Sequence, residues 1–104
     1  MRSMRLSEGA SGSRFKVRIR IFGPLREISR EDLFEVDAGE NESLIDVLRR
    51  LPEPLRERIL ENGEISPELL VLIDGVEISC LGKPDKISLK DVREIHMVPV
   101  IHGG

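Results

Sequence analysis

The chain contains no Gln, Thr, Trp or Tyr, and its only aromatic residues are Phe15, Phe22 and Phe34. Any core it forms is therefore aliphatic, and it lacks the aromatic faces on which single-stranded nucleic acid is stacked. Positive charge is not in surplus either. Sixteen Lys and Arg stand against nineteen Asp and Glu, a net charge of -3, which argues against a dedicated nucleic-acid binder. Cysteine is nearly absent: Cys80 stands alone, so no intramolecular disulfide is expected and a reducing, cytoplasmic location is the default. No apolar run approaches the roughly 18–20 residues that span a bilayer. The opening "MRSMRLSEGASGSR" has no apolar stretch of the kind a secretory signal carries.

What is present reads as one small domain. At 104 residues there is no room for two cores, and 39% hydrophobic with 34% charged residues fits a globular chain rather than a disordered one. The charge-rich, amide-poor composition is also a weak sign of heat adaptation. Residues 1–14 lack periodicity and read as a flexible N-terminal extension, which leaves residues 15–104 as the folded domain.

"FKVRIRIF" alternates strictly, with Phe15, Val17, Ile19 and Ile21 on one side and Lys16, Arg18 and Arg20 on the other, which predicts a half-buried strand. Gly23-Pro24 ends it, with one helical turn expected at Leu25–Ile28, and "LFEV" reads as a second short strand. Ser43 with Asp46 three residues on resembles a capping box, and Leu44, Val47, Leu48 and Leu51 form an apolar helical stripe that Pro52 stops. "PLRERILENG" reads as a shorter helix with Pro54 in its first turn and Gly63 just past its end. Asp74-Gly75, between Leu69–Ile73 and Val76–Ile78, predicts a hairpin. "LGKPDKISLKDV" reads as a polar connection, and "EIHMVPV" as the last strand, with Pro99 at an edge or where the strand leaves the sheet. The order is β-β-α-(α)-β-β-β: an α+β domain with a mixed sheet of about five strands, one main helix over one face and a short second helix.

These segments, in order, resemble a known family. "VRIRIFGPLREIS", "VDAGENESLIDVLRRLP", "LLVLIDGVEI" and the closing "MVPVIHGG" are similar to the first strand, capped helix, hairpin and Gly-Gly end of molybdopterin synthase small subunits, within the MoaD/ThiS group of ubiquitin-like β-grasp sulfur carriers. The resemblance implies a β-grasp fold and a tail that acts as a reactive group. It implies that Gly104, behind Gly103, is adenylated by a ubiquitin-activating-like adenylyltransferase that uses ATP, then converted to a thiocarboxylate. The sulfur would go to a pterin precursor held by the large subunit of molybdopterin synthase, in molybdenum cofactor biosynthesis. On this reading the chain is a protein co-substrate rather than an enzyme and holds no cofactor or metal of its own. Thiamin biosynthesis, tRNA thiolation and ubiquitin-like conjugation to lysines are alternatives within the same chemistry. A β-grasp interaction module that is never activated is the alternative of another class.

Glycine suits such a tail because it lacks a Cβ and passes through a narrow channel without clashing. His102 and Ile101 depart from the smaller residues such tails usually carry. Pro99, Val100 and Ile101 are the expected anchor at the channel mouth, and Val98, Arg18, Arg20 and Phe22 complete the candidate docking set. For Lys16, Arg18 and Arg20 the alternatives are a solvated strand face or a surface for an acidic partner patch. His96 is expected to point off the core, Cys80 to be a small buried hydrophobe, and Lys83, Lys86 and Lys90 to be solvated loop charge.

Overall fold

The alternation that begins the folded region becomes β1 (Arg14–Ile21), with Val17, Ile19 and Ile21 buried and Lys16 and Arg18 exposed. The computed structural model describes residues 14–100. After β1 come α1 (Leu25–Ser29), β2 (Leu33–Gly39), α2 (Leu44–Leu48), α3 (Glu53–Ile59), β3 (Leu60–Glu61) and β4 (Glu64–Ile65). The chain closes with β5 (Leu69–Ile73), β6 (Val76–Glu77), a 3-10 turn at Ile78–Cys80 and β7 (Glu94–Pro99). Five strands form one mixed sheet in the order β2-β1-β7-β5-β6, and β3 pairs with β4 as a separate hairpin. Within the main sheet β1 and β7 run parallel, and the other pairs are antiparallel.

The core lies on one side of that sheet. Val36 and Ala38, Val71 and Ile73, and Ile95 and Met97 point toward it from β2, β5 and β7, and Leu44, Val47, Leu48, Leu51, Leu55 and Ile59 meet them from the helical layer. The helix start is capped as its sequence predicts. Ser43 Oγ accepts from the Asp46 N–H at 3.3 Å, while Asp46 Oδ2 accepts from the Ser43 N–H at 2.9 Å. Regular helix ends at Leu48, and the Arg50 and Leu51 amides then bond back three residues, to Val47 and Leu48. That tighter turn still delivers Leu51 to the core.

Four expectations need correction. β2 runs on to Gly39, because Ala38 is fully buried as the next inward residue and pairs with Phe15. Gly63 does not end a helix: Asn62 and Gly63, at φ 55° and 80°, form the two-residue turn of the β3–β4 hairpin. The connection after β6 is not wholly polar. Ile87 and Leu89 are buried, held where the Leu44 N–H donates to the Ile87 carbonyl at 3.1 Å. Cys80 is exposed in the 3-10 turn rather than buried, because that turn takes the chain off the sheet before the thiol can reach the core.

The Asp74-Gly75 turn has positive φ at both positions, 47° and 87°. The choice of Asp has a structural reason. Its carboxylate accepts the Arg93 N–H at 3.2 Å and the Glu94 N–H at 2.9 Å, fastening the hairpin to the start of β7.

Candidate functional site

β7 carries the candidate site, and its placement is unusual for a strand that ends in proline. It lies between β1 and β5, yet Pro99 has no N–H to give a neighbour. The hydrogen-bond phase resolves this. The Met97 carbonyl faces β1, where it accepts the Phe22 N–H at 3.1 Å, so the nitrogen of Pro99, two residues on, faces the same side. There β1 has already turned away through Gly23, whose φ of +62° lies in the left-handed region that glycine, without a Cβ, enters at little cost. On the other side Pro99 is opposite Leu69, and the Val100 N–H donates to the Glu68 carbonyl at 2.7 Å. The chain is thus held on the β5 side up to Val100. Beside this exit lies a groove of about 250 Å³, lined by Pro24, Leu25, Ile28, Leu69, Pro99 and Val100 among others. Ile101, His102, Gly103 and Gly104 lie outside the described residues.

The sheet face opposite the core divides in two. Near the exit it is apolar: Phe22 and Val98 are half-buried, and Leu70, opposite Val98 on β5, is exposed. Phe22 meets the ring of His96 edge-on, with centroids 5.2 Å apart. Farther from the exit it is charged. Lys16 pairs with Asp37 at 3.0 Å, which raises the lysine's pKa and lowers the aspartate's. Arg18 and Arg20 both reach Glu94, at 3.5 and 3.1 Å, and His96 Nε2 lies 2.5 Å from the same carboxylate. The hydrogen bond to His96, reinforced by Arg20, holds the Glu94 carboxyl below its usual range.

Of the docking residues read from sequence, the structure brings Phe22, Val98, Pro99 and Val100 together at the exit and sets Arg18 and Arg20 apart around Glu94. The basic stripe of β1 is accompanied by Glu35, Asp37 and Glu94, so this face is balanced rather than cationic. Two residues were not singled out from sequence. Leu70 carried a signal, as the outward member of an alternating strand. Glu94 carried none that a linear reading resolves, because it meets the arginines only through the parallel β1–β7 register. Among the described residues no cluster of His, Cys, Asp or Glu has the arrangement of a metal site.

No family model matches the chain, and no curated protein matches it in sequence. Solved structures do. The chain is similar to the small archaeal modifier protein 1 (SAMP1) from Methanosarcina acetivorans, with 29% identity, 89% of this chain and 100% of that one covered, and a TM-score of 0.71. It is similar to the HVO 2177 protein of Haloferax volcanii at 25% identity over 88% of each chain, with a TM-score of 0.69. A chain of the Amycolatopsis orientalis BexX/CysO complex matches 85% of this chain and 99% of its own length at a TM-score of 0.68, with 15% identity. The fold is that of the ubiquitin-like β-grasp domains. No helix among the described residues is long and apolar enough to cross a membrane.

Proposed function

We propose that this chain is a ubiquitin-like sulfur carrier whose reacting group is the carboxylate of Gly104. The observation that supports this most directly is the exit of β7. β7 is anchored between β1 and β5, and the β5 side holds the chain as far as Val100, the residue that precedes Ile101-His102-Gly103-Gly104 in the sequence. A tail rooted in this way has a well-defined origin, which reduces the entropic cost of delivering its end to a partner's active site.

A free carboxylate is an anion at neutral pH and a poor electrophile, so a second protein must activate it. A Gly104 carboxylate oxygen attacks the α-phosphorus of ATP and pyrophosphate leaves. A hydrosulfide ion then attacks the acyl carbon, the C–S bond forms, the C–O bond breaks so that AMP departs, and the S–H proton is lost to solvent, leaving a thiocarboxylate. The chain serves as a co-substrate of a ubiquitin-activating-like adenylyltransferase. In the role its sequence most resembles, it is the small subunit of molybdopterin synthase and donates sulfur to a pterin precursor on the large subunit, within the cytoplasm. The apolar patch of Phe22, Leu70 and Val98 at the tail's root serves as the docking surface, with Arg18 and Arg20 at its charged margin. A second reading, transfer of the same activated acyl group to a lysine amine, is favoured by the likeness to a protein named a small archaeal modifier.

The test compares deletion of Gly104 with the double substitution Arg18→Glu and Arg20→Glu, each measured by ATP-dependent pyrophosphate release with the activating enzyme. Deletion abolishes release while the circular dichroism spectrum stays native, and the double substitution weakens it. Undiminished activation of the deleted chain would refute the reading.

A further inference from the structure

β2 is an edge strand, and among the described residues nothing pairs with its outer side. The ladder phase says which of its backbone groups face outward. The Ile21 N–H donates to the Asp32 carbonyl at 2.8 Å, so Asp32, Phe34, Val36 and Ala38 bond toward β1, while Leu33, Glu35, Asp37 and Gly39 present their amides and carbonyls to the open side. Three of these outward groups are already occupied, the Gly39 carbonyl among them, which accepts the Glu42 N–H at 3.1 Å. The Gly39 N–H donates to Glu42 Oε1 at 2.6 Å, and the Asp37 carbonyl accepts from Arg50 at 3.1 Å. Glu42 and Arg50 are also paired with each other, so together they close the C-terminal end of the edge. What stays open is a short run: N–H and C=O of Leu33 and Glu35, and the N–H of Asp37. An edge stopped at one end and open at the other fixes the register of whatever adds to it.

The side chains along that run state the chemistry of the occupant. On the face opposite the core, β2 presents Leu33, Glu35 and Asp37, and Glu31 and Asp32 precede them, all exposed except Leu33. Its existing neighbour shows what complements it. β1 places Lys16 opposite Asp37 and Arg18 opposite Glu35, with apolar residues alternating between them. We infer that the outer edge of β2, from Leu33 to Asp37, binds an extended segment of a partner protein that alternates basic and apolar residues, adding a sixth strand to the sheet. Backbone bonds to Leu33, Glu35 and Asp37 hold the segment, and its cations meet Glu35 and Asp37. A second copy of this edge is the wrong occupant, because it would set acidic side chains against one another. The inference stands apart from the tail chemistry, since β2 lies at the sheet edge two strands away from β7, with β1 between them.

The test is amide exchange followed residue by residue on the full chain, with and without a synthetic peptide of β1's own sequence, RFKVRIRI. The amides of Leu33, Glu35 and Asp37 should slow about tenfold when about nine-tenths of the chain is bound, while those of Phe34, Val36 and Ala38, already bonded to β1, stay unchanged. Glu35→Gln, which removes the charge at an exposed position without setting a second cation against Arg18, should weaken that slowing with the melting temperature preserved. Equal slowing by a control peptide with Glu at the three basic inner positions, RFEVEIEI, would overturn the inference. So would no slowing at all, or slowing of the three amides in the chain without peptide, which would mark the edge as occupied by the chain's own residues or by a second copy.

Discussion

Replacing Glu42 with Gln isolates one charge in the clasp that ties the end of β2 to the residues flanking α2. Glu42 Oε1 accepts the Gly39 N–H at 2.6 Å, and both carboxylate oxygens are engaged by Arg50, whose NH1 also donates to the Asp37 carbonyl. The Arg50 hydrogen bond, and after it the Gly39 amide, hold the Glu42 carboxyl at about 2, against an ordinary value of 4.5. In full, such a depression corresponds to ~3 kcal/mol. With the Arg50 side chain 37% exposed, solvent screening reduces the effect to about 1–2 kcal/mol. Gln keeps the shape and the acceptor for Gly39 and removes only the charge, so Glu42→Gln should lower stability by that amount at pH 7, about 5–10 °C in melting temperature for a domain this size. The sign of the pH dependence follows from the lowered pKa. The advantage of the native chain is complete above pH 4.5, shrinks as pH falls through the folded-state value, and has nearly closed by pH 2. Urea unfolding of both chains, followed by circular dichroism from pH 7 to pH 2, measures the gap directly. A gap that stayed constant across that range, or one below ~0.3 kcal/mol at pH 7, would refute this account of the clasp.

Two further substitutions test the core and the helix start. Leu48 is fully buried between α2 and the sheet, so Leu48→Ala should cost about 3–4 kcal/mol in urea unfolding, and a loss under 1 kcal/mol would mean the site collapses around the smaller side chain. Ser43→Ala removes the acceptor for the Asp46 N–H and should cost about 1 kcal/mol, while the same substitution at exposed Ser79 should cost a few tenths at most.

Where local chemistry decides, the fold was legible from sequence. The alternation of β1, the Ser43–Asp46 box and the Asp74-Gly75 turn each state their structure within a few residues, and all three stand in the molecule as expected. The misreadings share a cause. Gly63 follows an apolar helical pattern closely enough to resemble a helix cap, and only the pairing of Leu60 with Ile65 reveals a hairpin turn. Ala38 and Gly39 resemble a turn until β1 supplies Phe15 and Arg14 as partners. Ile87 and Leu89 sit among charges, and their burial depends on the distant contact of Ile87 with Leu44. The candidate site divides in the same way. Phe22, Val98 and Pro99 were visible as the ends of alternating strands, whereas the convergence of Arg18, Arg20 and His96 on Glu94 exists only in the β1–β7 register.

The central claim, that Gly104 is the reacting group, is tested most directly by the intact mass of the chain after incubation with ATP, a sulfur source and its activating enzyme. The account predicts one population in which a single oxygen is replaced by sulfur, with fragmentation locating the change at Gly104. A chain recovered with unchanged mass, or modified at any residue other than Gly104, would contradict it.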